Sequence, residues 1–246
     1  MSSTETTKGA AVLPTACFRT PMLPAQPEAV IREVAARTVE EREFSTGSMN
    51  SKEIEALSQL VPFMMCGEES AVHVFHRESR RVRNGAHRAA QELLLQIAGE
   101  EKVHEYLLAR LAVELPEAEG NDAIRKRSQD FFINLANPDP AVHFARVAAL
   151  DSGVCKIMAS FCLAPGVVKY PALQRICSKI RSDESRHVRI SRQYVMDLGM
   201  PPAALSAAAD SICGDLVTLL QPGGKALEDL GVDADHLFRR IKREEI

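Results

Sequence analysis

Residues 100–104, Glu-Glu-Lys-Val-His, and residues 183–187, Asp-Glu-Ser-Arg-His, are the two stretches that decide the interpretation of this chain. Each contains Glu-x-x-His, and each has another acid directly before that glutamate. Residues three apart lie on one face of an α-helix, so each stretch presents a carboxylate and an imidazole in the same direction. Two such helices, with one carboxylate from each of two more, make up the ligand set of a two-metal site in a four-helix bundle.

The apolar residues around these stretches recur at the helical period. They predict main helices over residues 63–82, 86–115, 140–164 and 171–198, and outer helices over 28–44, 121–136, 203–220 and 233–244. Asn50 or Ser51 can cap the helix that leads into the first of these, and Pro62 is expected to kink or break it. No stretch alternates at period two for long, so the fold class is predicted to be all-α.

Two further acids fall inside apolar stripes of the predicted helices. Glu68 shares a stripe with Met64 and Val72, and Asp151 lies on the buried stripe of the helix over 140–164. The separation from Glu68 to Glu101 is 33 residues, and the separation from Asp151 to Glu184 is the same. Each half of the chain therefore supplies one inward acid and one Glu-x-x-His. Glu69 could face inward in place of Glu68, and Asp151 could instead pair with Lys156 or an arginine.

Packing the halves together would bring four carboxylates and two histidines to one level of a dry core. Their mutual repulsion is strong unless cations neutralise it, and a glutamate can bridge two ions. A metal-bound histidine also needs an acceptor for its other ring nitrogen. We expect Asp183 to reach His104, Glu100 to reach His187, and Arg186 to pair with one of these acids.

Composition restricts the classes of function and the organisation of the chain. The 246 residues are 46% hydrophobic with a net charge of −3, which gives no electrostatic case for nucleic acid or an anionic membrane. No apolar run approaches the roughly 20 residues of a spanning helix, and the N-terminus lacks a secretory signal. Residues 1–26 are expected to form a flexible arm before a single helical domain over 27–246, with its metal-binding core at about 60–198. Six scattered cysteines indicate reduced thiols and a cytoplasmic location.

These motifs resemble the ferritin-like di-iron carboxylate superfamily. Gly67-Glu68-x-x-Ala71 is similar to the Gly-Glu-x-x-Ala of rubrerythrins and aldehyde-deformylating oxygenases, and residues 183–187 are similar to the Asp-Glu-x-x-His of that oxygenase, of acyl-carrier-protein desaturases and of N-oxygenases. The resemblance implies a ferritin-like four-helix bundle with extra N- and C-terminal helices. The metal ligands that it implies are Glu68, Glu101, His104, Asp151, Glu184 and His187. The family usually has glutamate where this chain has Asp151, which has a shorter arm for bridging.

The resemblance further implies an oxygenase or oxidase with two iron ions, with manganese or a mixed Mn/Fe pair as alternatives. Such an enzyme uses O2 and an external electron donor to hydroxylate, N-oxygenate or oxidatively cleave a small organic substrate. We expect a homodimer and a substrate cavity lined by Val72, Phe75, Val154, Cys155, Met158 and Ile180. The alternatives are a rubrerythrin-like peroxide scavenger, an iron-storage protein, a hydroxylase of modified tRNA, and a helical interaction module without catalysis.

Overall fold

The computed structural model describes residues 28–40, 43–82 and 88–243, and every regular element within these ranges is helical. The helices are α1 Glu28–Thr38, α2 Ser51–Val82, α3 Arg88–Val113, α4 Asn121–Leu135, α5 Pro140–Leu163, α6 Pro165–Val168, α7 Pro171–Asp197, α8 Pro202–Leu220, α9 Gly224–Asp229 and α10 Ala234–Lys242, with a 3-10 turn at Gln221–Gly223. The all-α prediction is confirmed for this part of the chain. The predicted arm at residues 1–26 lies outside the described residues.

Helix α2 begins with a reciprocal pair of capping contacts. The backbone N–H of Glu53 donates to Asn50 Oδ1 at 3.0 Å, and the backbone N–H of Asn50 donates to Glu53 Oε2 at 2.9 Å. This arrangement satisfies two amide groups that would have no partner within the helix. The helix continues through Pro62 to Val82, so the interruption expected at Pro62 is not found.

The four longest helices pack in two pairs. Helix α2 lies along α3, helix α5 lies along α7, and α3 contacts α7. One cluster of buried apolar side chains contains residues from α1 through to α10. The two halves that repeat the spacing of acids and histidines are therefore joined by the contact of the two motif helices.

The C-terminal helices cover the α5 side of this arrangement, where α8 and α10 both contact α5. The sequence pattern did not predict helix α9. It has only six residues, and it begins within Pro222-Gly223-Gly224, a stretch typical of a turn. A close backbone contact holds this region: the Gly166 N–H of α6 donates to Leu230 O at 3.0 Å. A Cβ at Gly166 would lie 2.8 Å from that oxygen, so only glycine permits the approach.

Two expectations from composition need correction. One segment of the described residues, Pro202–Asp229, is long and apolar enough to cross a membrane by length and composition. Helix α8, which makes up most of this segment, packs against α5 and α10. Of the cysteines, Cys155, Cys162, Cys177 and Cys213 are free, whereas Cys66 is disulfide-bonded, so the prediction of reduced thiols is wrong for Cys66.

Candidate metal centre

Four helices bring the six predicted ligand side chains together in the interior. Glu68 comes from α2, Asp151 comes from α5, and each Glu-x-x-His comes from a motif helix, α3 or α7. All six side chains are buried, with 6% exposure or less. Glu68, Glu101, His104 and Glu184 each offer one ligand atom within 4.8 Å of those of the other three. This buried group could hold a metal ion.

The two motif glutamates face both histidines. Glu101 Oε2 lies 3.3 Å from His104 Nδ1, and Glu101 Oε1 lies 3.0 Å from His187 Nδ1. Glu184 Oε1 lies 4.0 Å from His104 Nδ1, and Glu184 Oε2 lies 3.5 Å from His187 Nδ1. Each carboxylate therefore directs one oxygen towards each imidazole, which is the placement that a bridging carboxylate requires.

The remaining two acids come from α2 and α5. Glu68 Oε2 is 3.2 Å from His104 Nδ1. Asp151 lies outside the four-residue group above, and Glu184, Glu101 and His187 are among the charged groups that act on it. Glu69 is also buried and also has an interaction partner, but it does not belong to the group of ligand atoms. Glu68 is therefore the acid of α2 that faces the histidines.

Several ligand atoms make no hydrogen bond of good geometry among the described residues, although Glu101 Oε1 and His187 Nδ1 lie 3.0 Å apart. These atoms are Glu101 Oε1, Asp151 Oδ2, Glu184 Oε2 and His187 Nδ1. Leaving a buried polar atom unpaired costs about 1–3 kcal/mol, and more for a charged group. Four such atoms at one level of the core are consistent with a buried group that could hold a metal ion.

Acids that precede the motifs hold the far side of each histidine ring. His104 Nε2 is 2.9 Å from Asp183 Oδ2, and His187 Nε2 is 2.9 Å from Glu100 Oε2. Arg186 pairs with Glu100 and lies 3.5 Å from Asp183. Both contacts expected from the sequence are present, and both rings turn Nδ1 towards the carboxylates. A carboxylate on the outer ring nitrogen fixes the orientation of a metal-binding histidine and increases its basicity.

The pKa values of the acids show how crowded the site is without a cation. Burial raises the pKa of Glu68 well above its usual range, and it raises the pKa of Asp151 in the same way, with repulsion from Glu184 and Glu101 adding to the effect. Burial also raises the pKa of Glu184. Burial opposes ionisation of Glu101 too, but contacts with His104 and His187 outweigh it and lower the Glu101 pKa. Bound protons therefore neutralise part of the negative charge of the carboxylates, which a metal ion would otherwise neutralise.

The histidines respond in the opposite sense. Burial favours the neutral imidazole, but the effect of the surrounding acids is larger. Glu68 and Asp183 therefore raise the pKa of His104. Glu100, Glu101 and Glu184 raise the pKa of His187 in the same way. Burial likewise opposes ionisation of Asp183, but its contacts with His104 and Lys179 lower the Asp183 pKa to about 2.

A cavity of about 60 Å³ adjoins the carboxylates. Glu68, Glu101, Asp151 and Glu184 form part of its wall, and all of its other lining side chains are apolar. Of the six residues predicted to line a substrate cavity, Val154 and Met158 do so. Val72, Phe75, Cys155 and Ile180 do not line this cavity.

The four residues that do not line this cavity lie elsewhere in the structure. Phe75 packs with its ring centroid 6.1 Å from that of His187 and 5.9 Å from that of Phe144. Cys155 Sγ lies 3.6 Å from Ser185 Oγ, and Val72 and Ile180 are buried in the interior. The cavity lies instead on the side where α4 and the C-terminal helices meet α2 and α5.

Sequence reasoning missed the cavity residues that come from outside the four long helices. They are Phe132 of α4, Leu216 and Leu220 of α8, Leu227 of α9 and Leu237 of α10. The spacing of Leu216 and Leu220 marks an apolar helix face, but no local pattern indicates which surface that face covers. The Phe132 ring lies against Gly67 of α2, where a Cβ would be at an ordinary contact distance of 3.4 Å.

Comparison with known proteins yields no relative: the chain matches no family model, no curated protein and no solved structure.

Proposed function

We propose that this chain is a ferritin-like four-helix bundle that binds two transition-metal ions and acts as an oxygen-activating oxygenase or oxidase. The observation that carries the proposal is the placement of Glu101 and Glu184, each with one oxygen towards each histidine. Glu68 and His104 would complete one ion, and Asp151 and His187 would complete the other.

The donor set favours iron or manganese over structural zinc. Four carboxylates and two imidazoles provide a site rich in oxygen with one nitrogen for each ion. Structural zinc sites use mainly cysteine and histidine, whereas mixed oxygen and imidazole ligation suits iron and manganese. Neither Cys66, which is disulfide-bonded, nor any of the four free cysteines belongs to the group of ligand atoms.

The apolar cavity supports an oxygenase in preference to a storage protein or a peroxide scavenger. When bound, a reduced iron pair would supply the activation of dioxygen, with electrons from an external donor. The protein supplies the surroundings: Asp183 and Glu100 hold the two imidazoles in position. Val154, Met158 and Phe132 exclude water from the space in which a small organic substrate would meet the carboxylates. An iron-storage site has no need for this enclosed apolar space.

Metal loading followed by single turnover tests the proposal. The chain loaded with Fe(II) without oxygen is expected to hold about two irons, and it should consume oxygen when mixed with amines, acids or aldehydes. Glu101→Gln should reduce the iron content, because one bridging position loses its charge. Glu105→Gln on the same helix is the matched control, since Glu105 pairs with Lys102 away from the ligand atoms. Wild-type protein that holds no metal would refute the proposal, and metal without oxygen consumption would refute the oxygenase part.

A further inference from the structure

A second and larger pocket lies where α2, α4 and α8 meet. It measures about 340 Å³, and its lining includes the charged residues Glu55, Glu119 and Arg127 together with Gln59. Glu55, Glu119 and Arg127 are exposed, so they form the rim on the solvent side. The pocket therefore has a polar mouth above an apolar interior.

Three apolar residues separate this outer pocket from the cavity at the carboxylates. Leu60 and Phe63 of α2 and Leu220 of α8 line both spaces. Leu60 and Leu220 are buried, and Phe63 is half-buried. Leucine and phenylalanine side chains can change rotamer without a movement of the backbone. The two spaces therefore share a wall (the partition) that includes three apolar side chains.

The sizes of the two spaces indicate that an organic ligand would occupy both. Ligand pockets usually measure roughly 300 Å³ or more. The inner cavity, at about 60 Å³, has room for O2 or a few waters, whereas the outer pocket, at about 340 Å³, has room for a small molecule. A molecule that reacts at the carboxylates must therefore extend between Leu60, Phe63 and Leu220.

The lining indicates the chemistry of that molecule. Apart from the four carboxylates the inner wall is apolar, so the end that enters it is apolar. The rim carries two glutamates and one arginine, a net negative charge that favours a cationic end over a carboxylate. We infer that this pocket binds an aliphatic amine, with the amino group at the rim and the chain directed through the partition to the metal centre. Binding of the amine does not depend on the proposed function; only its reaction at the metal centre rests on that proposal.

Titration with linear primary amines from butylamine to nonylamine tests this assignment in the full chain loaded with Mn(II). Each methylene that leaves water should increase the affinity about fourfold. Amines should bind more tightly than carboxylates of the same length. Bound Mn(II) should also relax the terminal methyl protons of the amine faster than the protons beside its nitrogen. An affinity independent of chain length, a preference for carboxylates, or the reverse order of relaxation would overturn the inference.

Variants of the partition provide the second arm of the test. Leu220→Trp should weaken nonylamine binding tenfold or more while leaving butylamine within about twofold. Leu163→Trp is the control, because Leu163 is 82% exposed and lines neither space. If Leu220→Trp does not fold, Gly223→Ala serves, because its Cβ would lie 3.2 Å from Leu60 Cδ2 and restrict that side chain. Equal nonylamine affinity in wild type and a folded partition variant would contradict the route.

Repeating the amine titration without metal separates the two claims. Amine binding in a chain that takes up no metal would refute the proposed function and leave the binding site intact. Metal binding without amine binding would refute the binding site alone.

Discussion

The histidine contacts show how far single residues could be predicted. The acid before each Glu-x-x-His contacts the histidine of the other motif, as the sequence suggested. Glu68, and not Glu69, faces the histidines because it lies on the apolar stripe of α2. These results follow from helical periodicity and spacing, which are local properties of the sequence.

The contact between Asp183 and His104 gives a prediction about metal affinity. In Asp183→Ala the imidazole loses the acceptor that fixes its outer nitrogen, so metal affinity should fall about 10- to 100-fold. Competition with a chelating dye measures the change. Asp197→Ala is the matched control on the same helix, since Asp197 pairs only with Gln193 in the described contacts. Equal losses in the two variants would contradict the role assigned to Asp183.

Two buried tyrosines should respond in opposite ways to loss of the hydroxyl. Tyr194 Oη donates to the buried Glu78 Oε1 at 2.8 Å, while Glu78 Oε2 contacts Arg81, so Tyr194→Phe removes the hydrogen bond to Oε1 and should cost about 1–3 kcal/mol. The Tyr170 hydroxyl is buried without a hydrogen-bond partner among the described residues, so Tyr170→Phe should be neutral or stabilising. Urea unfolding of both variants measures the difference. Similar losses from the two variants would contradict this interpretation.

At the scale of the helices, the helix boundaries could be predicted from the sequence, whereas the residues that line the cavity at the carboxylates could not. Apolar periodicity and Pro or Gly punctuation placed the ends of α3, α5, α7 and α8 within two residues of those in the structure. The cavity depends on which surfaces α4 and α8–α10 cover, and these are long-range contacts with no local signal. For that reason the sequence interpretation named Val154 and Met158 among the residues that line this cavity but not Phe132 or Leu216.

The contact between α6 and the end of α9 gives a prediction for the C-terminal helices. In Gly166→Ala the new methyl would lie 2.8 Å from Leu230 O, which is backbone and cannot rotate away. The variant should lose about 1–3 kcal/mol of unfolding free energy. Gly214→Ala on α8 is the control: no atom lies within 4 Å of its new Cβ, so greater helix propensity should stabilise it by roughly 0.5–1 kcal/mol. Thermal or urea unfolding compares the two, and equal effects would contradict the argument.

At the scale of the whole molecule, the ligands come from all four long helices, so a metal ion should stabilise the entire fold. Without metal, Glu68, Asp151 and Glu184 have raised pKa values in the folded state. Their contribution to stability is complete below the ordinary carboxyl pKa of about 4 and is lost as the pH rises through the raised values. The metal-free chain is therefore destabilised by these acids as the pH increases.

Metal addition should reverse this loss, because a cation takes the place of the protons. The increase in melting temperature produced by Mn(II) should be larger at pH 8 than at pH 5, measured by scanning calorimetry at equal metal concentration. The acids with lowered pKa values, Glu101 and Asp183, act in the other direction but titrate at lower pH, so they leave this comparison unchanged. The same shift at both pH values would contradict the prediction.

The crossed contacts of Glu100 with His187 and of Asp183 with His104 also constrain how α3 and α7 are aligned. Neither helix orients its own imidazole on the outer side; each relies on its neighbour. A slide of one helical turn, about 5.4 Å, would unseat both rings at once. These two contacts therefore fix the register of α3 relative to α7. An insertion or deletion that shifts one motif along its helix would have to be matched by the same shift in the other helix.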